Sequence, residues 1–158
     1  VTEIGYNAFE HCSSLKDINI PNSVTSIGNS AFYYCTSLEN IVIPVGTKSI
    51  GSNAFYGCLN LSSVTIPNTV TSINEAVFGD CTKLKSIVIP ESINAIKSFA
   101  FSGCTSLKTI IIPKNVNFLG HNCIGYYYDE DSHDYLKIEN FKYITPSSTI
   151  NMTTFFSV

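Results

Sequence analysis

The segment Ile27-Gly28-Asn29-Ser30-Ala31-Phe32-Tyr33-Tyr34-Cys35-Thr36-Ser37-Leu38-Glu39-Asn40-Ile41-Val42-Ile43-Pro44 decides the fold, because the chain repeats it. Steps of 23 residues link Ile4, Ile27, Ile50, Ile73, Ile96 and Leu119, and likewise Phe9, Phe32, Phe55, Phe78, Phe101 and then Ile124. The same step links Leu15, Leu38, Leu61, Leu84 and Leu107, and Pro21, Pro44, Pro67, Pro90 and Pro113. Agreement of this kind in several columns at once marks a stacked repeat architecture.

Two local patterns alternate within each unit. Leu38-x-x-Ile41-x-Ile43 ends in period-two alternation of β-branched residues, which predicts a short half-buried strand. Pro44 has no N–H to donate, so the ladder stops there and the chain turns. In Ser30-Ala31-Phe32-x-x-Cys35-x-x-Leu38 the apolar residues are spaced by three. This spacing predicts one tight helical or 3₁₀ turn, with Ser30 as its N-cap. One strand and one turn cannot bury an apolar face alone. Stacked copies can, with equivalent residues about 4.8 Å apart. The expected product is a right-handed parallel coil with Ile, Leu, Phe and Cys columns inside.

The unit IGxxAFxxCxxLxxIxIPxxV resembles the BspA-type, or Treponema-type, leucine-rich repeat across residues 1–124. Departures are local: Thr47 replaces Val, Asn74 and Lys97 replace Gly, and Phe99 intrudes in the fifth unit. The resemblance implies a leucine-rich-repeat solenoid, mostly β. It would carry a parallel strand per repeat on a concave face and short turn or 3₁₀ elements on the other side. It also implies a secreted or surface-attached protein of a bacterium or protist, in a family whose assigned roles include adhesion and host-protein binding.

Composition narrows the function classes. With 44% hydrophobic and 13% charged residues in 158, the chain is globular and of one-domain size. A net charge of -3, with nine Lys and no Arg, argues against nucleic acid, for which Arg supplies the bidentate contacts. No apolar run approaches the roughly 20 residues a membrane helix needs, so membrane insertion is not expected. Val1 opens inside a repeat, so residues 1–124 read as five to six units lacking N-terminal ones.

The register fails after Ile124. Tyr126-Tyr127-Tyr128 and the acidic run Asp129-Glu130-Asp131 intervene, and the strand template returns as Ile138-x-x-Phe141-x-Tyr143, eight residues late. Residues 125–158 are therefore expected to form a last rung with an inserted hairpin, from Tyr126–Tyr128 to Tyr135–Ile138, and a cap. Solenoids need such an atypical end to shield the core.

Candidate chemistry is sparse. Cys12, Cys35, Cys58, Cys81 and Cys104 occupy one column rather than the CxxC grouping of a zinc site, which predicts a buried, reduced thiol row. Cys123 falls in the Ala column. His11, His121 and His133 are dispersed, and His121 with Cys123 does not make a catalytic pair because that Cys points inward. Asp129, Asp131 and Asp134 could offer oxygens to Ca²⁺, but the central Gly and distal Glu of an EF-hand loop are missing, so a solvated turn is the favoured reading. Neither a cofactor nor enzymatic activity is expected. Sequons at Asn60-Leu61-Ser62 and Asn151-Met152-Thr153 matter only in a eukaryotic secretory pathway.

The candidate binding surface is the concave strand face. Its outward rows are Asp17, Asn40, Ser63, Ser86, Thr109 and Asn19, Val42, Thr65, Val88, Ile111, flanked by Lys16, Glu39, Ser62, Lys85 and Lys108. Val42, Val88 and Ile111 are apolar where water is expected. They mark a contact stripe, or they reflect only the strand preference of β-branched residues. The expected function is protein–protein or adhesive recognition by a monomer, host or matrix proteins being possible partners. The alternative is a structural spacer attached to another functional domain.

Overall fold

The computed structural model describes residues 1–137 and 142–144. The strand read from the sequence is present as Asn40–Val42, Ser63–Thr65 and Thr109–Ile111, but not in every repeat as expected: Ile18–Ile20 forms none, and Ile87–Ile89 keeps only a bridge at Val88. The first two pair in parallel, with Asn40 beside Ser63, Ile41 beside Val64 and Val42 beside Thr65, and a single bridge continues from Thr65 to Val88. Each residue thus meets its counterpart 23 positions on. Within each of these strands the middle residue is buried and its neighbours are exposed.

A second ladder was not foreseen. Two-residue strands at Glu3–Ile4, Ser26–Ile27 and Ser49–Ile50 form one parallel sheet, and Ser72–Ile73, Ala95–Ile96 and Phe118–Leu119 form another. The Ile column at this corner is buried, and each partner beside it faces outward. Two residues are too few to display alternation, so only the 23-residue step betrays this ladder.

The segment between the ladders corrects the expectation of a capped helical turn. No helix forms among the described residues, and Ser30 sits in the left-handed region at φ 55°. It belongs to a column with Asn7, Asn53, Ala76, Phe99 and Asn122, whose φ values run from 46° to 59°. His11, Tyr34, Gly57, Asp80 and Gly103 make a second left-handed column. The physical reason lies in the hydrogen bonds. The N–H groups of Ala31, Tyr33 and Cys35 donate three residues back, to the carbonyls of Gly28, Ser30 and Phe32. Those of Ser30, Phe32 and Tyr34 donate instead to Ser52, Ala54 and Tyr56 of the next rung, at 2.8 to 2.9 Å. In a continuous helix the N–H groups beyond the first turn would bond within the segment and leave the rungs unjoined; the left-handed residues turn alternate groups outward, so the rungs are bonded here too.

The interior is a set of like-on-like columns. Phe32, Phe55, Phe78 and Phe101 are fully buried, and their rings stack nearly parallel with centroids 5.2 to 5.6 Å apart. The prolines end each strand as expected: Thr47, Val70, Ile93 and Val116 donate to the carbonyls of Pro44, Pro67, Pro90 and Pro113. Thr47, the polar exception in a Val column, is wholly buried, and its hydroxyl donates to the Val24 carbonyl at 3.3 Å.

The break after Ile124 contains the expected hairpin. Tyr126–Asp129 pairs antiparallel with Asp134–Lys137, placing Tyr128 opposite Tyr135. The returning strand, Lys142–Ile144, adds in parallel to Thr109–Ile111, but its register corrects the sequence reading. Tyr143, not Phe141, stands beside Ile110. That is 33 positions on, ten more than the repeat of 23, so the insertion is ten residues long rather than eight. Ile138, Phe141, Asn151 and the rest of the expected cap beyond residue 144 lie outside the described residues.

Candidate binding surface

The outward rows expected from the sequence are exposed, although Asp17, Asn19 and Ser86 lie outside the strands. Asp17, Asn19, Asn40, Ser63, Thr65, Ser86 and Thr109 are all exposed. Val42 is 72% exposed, Val88 81% and Ile111 58%, which are high values for aliphatic side chains. With Thr65 they form one uncharged row along the stack. The polar row beside it is partly tied together, since the hydroxyls of Ser62 and Ser63 donate to Asn40 Oδ1 at 3.2 and 2.8 Å. The row of Val42, Thr65 and Val88 is left without a covering element among the described residues.

The cysteine column is a ladder of thiol hydrogen bonds. The Sγ–H groups of Cys35, Cys58, Cys81 and Cys104 donate to the carbonyls of Phe9, Phe32, Phe55 and Phe78, at 3.0 to 3.3 Å. Each acceptor is the Phe of the preceding rung. All six cysteines are free, and five are buried. Cys12 is the exposed one. Burial pushes the Cys35 thiol up to about 11 and the Cys123 thiol up to about 12, and raises Cys58, Cys81 and Cys104 further. Thiolate chemistry is thereby suppressed along the row.

The acidic loop spends its best ligand internally. Asp129 accepts hydrogen bonds from the Ser132 hydroxyl and backbone N–H at 2.6 and 3.0 Å. Those bonds, the hydroxyl's first, hold its carboxyl below the usual carboxylate range. Asp129 and Asp134 face each other across the hairpin end and Asp131 lies in the turn between. Among the described residues no three acidic, His or Cys side chains are grouped to hold a metal ion. His121 lies edge-on to the Phe99 ring at 6.0 Å and is exposed, whereas Cys123 is buried.

The turn side carries an aromatic and acidic patch that sequence reasoning missed. His11 stacks on Tyr34 with ring centroids 5.5 Å apart, and Tyr33 stacks on Tyr56 at 5.4 Å. The Tyr56 hydroxyl donates to the Asp80 carboxylate, and burial together with that bond raises its pKa well above the ordinary tyrosine value. Glycines make the arrangement possible. A Cβ on Gly79 would lie 2.6 Å from the Tyr56 ring, and one on Gly103 would lie 1.9 Å from Asp80 Oδ1. Side chains of one rung therefore drape over bare backbone of the next. Beyond Tyr56 opens a cleft of about 190 Å³, lined by Asn53, Tyr56, Glu75, Ala76, Asp80, Phe99, Ser102 and the hairpin's Tyr128. The signal was present in the sequence as Gly79 in the column of Tyr33 and Tyr56, and as Gly57 and Gly103 in the column of His11, Tyr34 and Asp80.

A family profile described as BspA type leucine rich repeat region matches residues 2–131 in six copies. The chain belongs to the BspA-type leucine-rich repeat family. Solved structures agree with this. A leucine-rich repeat protein from Bacteroides ovatus is 33% identical, with a TM-score of 0.72 over 77% of this chain and 31% of its own. The Treponema pallidum leucine rich repeat protein is 32% identical, with a TM-score of 0.61 over 68% of this chain and 50% of its own. A leucine rich cell surface protein from Faecalibacterium prausnitzii is 29% identical, with a TM-score of 0.54 over 87% of this chain and 49% of its own. The BspA-type repeats described here thus span between about a third and a half of the length of these relatives. No similar protein was found among the curated proteins. No helix among the described residues is long and apolar enough to cross a membrane.

Proposed function

We propose that these repeats are a non-catalytic recognition module of a secreted or cell-surface protein, engaging a protein partner through the strand face. The observation that carries this reading is the exposed row Val42, Thr65, Val88 and Ile111, with its three aliphatic side chains more than half exposed. A long, flat strip of mixed apolar and hydroxyl groups suits a protein surface, whereas a small molecule prefers an enclosed pocket. The description of the F. prausnitzii relative as a cell surface protein supports the location.

The test is a panel of surface and matrix proteins, including host fibrous proteins, screened by biolayer interferometry. Val88→Glu with Ile111→Glu should abolish capture while leaving the fold intact, because both side chains point to solvent. Tyr6→Glu, at a 72% exposed position outside the strand face, should leave capture unchanged. Loss of binding on Tyr6→Glu alone would place the partner elsewhere. If nothing in the panel binds, the spacer role becomes the better reading. The rung-to-rung hydrogen bonds on both the strand and turn sides favour that second reading, because they tie each rung to the next along the stack.

A further inference from the structure

We propose that the cleft between the turn side of the stack and the inserted hairpin binds an organic ammonium group, such as a lysine side chain of a partner. The inference is independent of the strand-face reading. Tyr56, Glu75 and Asp80 come from the third and fourth units, Phe99 from the fifth, and Tyr128 from the hairpin. Rings and carboxylates therefore converge from segments far apart in sequence.

The chemistry of this lining selects a cation. Two carboxylates line one cleft, and among the described residues no Lys or His pairs with either. An anion would be repelled. Three aromatic residues, Tyr56, Phe99 and Tyr128, line the cleft with these carboxylates, and aromatic rings attract an ammonium or alkylammonium head. The same rings make a poor shell for Ca²⁺, which asks for six to eight oxygens. The cavity of about 190 Å³ falls below the roughly 300–1,000 Å³ of sites for drug-sized ligands, so it admits a side chain or a small head group.

The cleft is also built rather than left over. Tyr56 can lie flat only because Gly79 lacks a side chain, and Asp80 reaches its position only over Gly103. The Tyr56 hydroxyl then fixes the Asp80 carboxylate. The ten-residue insertion brings Tyr128 into the lining, which gives the hairpin a role beside the expected capping.

The probe is n-butylammonium chloride, titrated at constant ionic strength and pH 7 while amide shifts are followed by NMR. Saturable shifts should concentrate at Gly79, Gly103 and the Tyr128 strand. Glu75→Gln with Asp80→Asn should weaken binding about tenfold or more, as loss of charge pairing predicts. Gly79→Ala should weaken it with both charges retained, by displacing the Tyr56 ring. Glu75→Gln alone keeps the test decisive if the Asp80 variant unfolds, since Glu75 is exposed. Equal shifts from neutral tert-butanol, or undiminished affinity in the carboxylate variants, would overturn the proposal. So would Ca²⁺ saturating the same amides more tightly than butylammonium, because the site would then be an inorganic one.

Discussion

Replacing Phe55 by Ala tests the column architecture most directly. Phe55 is fully buried, and its ring is held between Phe32 at 5.2 Å and Phe78 at 5.6 Å. Truncation removes the buried ring and leaves a cavity, for which about 3–5 kcal/mol is the usual loss. Both stacking partners also lose a face, and their neighbours are fixed by rung-to-rung hydrogen bonds, so the gap closes poorly. The loss should fall toward the top of that range. For a domain of this size each kcal/mol lowers the melting temperature by roughly 2–4 °C, which predicts a drop of roughly 10–20 °C. Phe9→Ala is the internal control, since Phe9 is only partly buried and stacks on Phe32 alone at 5.1 Å. It should cost about half as much or less. Thermal and urea unfolding followed by far-UV circular dichroism measure both variants. Equal losses at the two positions would show that stacking between rungs is not what the Phe column contributes.

Other outcomes follow from single features. Gly51→Ala should destabilise the fold, because the new Cβ would stand 2.4 Å from the Asn29 backbone nitrogen, whereas Gly5→Ala, with nothing within 4 Å, should be tolerated; equal melting curves would contradict this close approach. The buried thiols hold their protons more tightly folded than unfolded, so their contribution is present below the ordinary thiol value of 9.0 and is lost as pH rises through about 11 at Cys35 and about 12 at Cys123. Stability measured between pH 8 and 12 should therefore fall in that window, and a Cys35→Val variant should fall less steeply. Ending the chain at Ile124 removes the hairpin and the strand beside Thr109–Ile111, and the bared edge should promote aggregation; a soluble monomer of residues 1–124 counts against a capping role. Millimolar Ca²⁺ should leave the melting temperature unchanged, since Asp129 is already engaged by Ser132, and a rise of several degrees would revive the calcium reading.

Much of the fold was legible because the repeat carries its own alignment. The Phe, Leu, Ile and Pro columns could be read directly, and so could the rows pointing outward from the strands. Besides the second ladder, three things were hidden for physical reasons. Spacing by three around Ser30 suits a helical turn as well as a chain of β-turns, and only the hydrogen bonds to the next rung separate them. Asn7, Asn53 and Asn122 in one column, with Gly57 and Gly103 in the other, were the available hint, since these residues tolerate left-handed backbone. The register of the last rung was missed by two residues, a slip that preserves which side chains face inward and so escapes period-two reasoning. The cleft at Tyr56 and Asp80 was invisible because it needs several units and the hairpin together. It depends on glycines whose meaning appears only when a neighbouring side chain lies across them.

The thiol ladder gives the stack a set of built-in reporters. Its members are chemically alike and spaced every 23 residues, yet each is sealed by the Phe carbonyl of the rung before it. Their accessibility is therefore a matter of position along the stack rather than of residue type. Cys35 becomes reachable only when the rung that carries Phe9 lifts away. A thiol reagent applied in brief pulses would label the column in order of fraying, so the mass of the labelled chain counts how many rungs have peeled open.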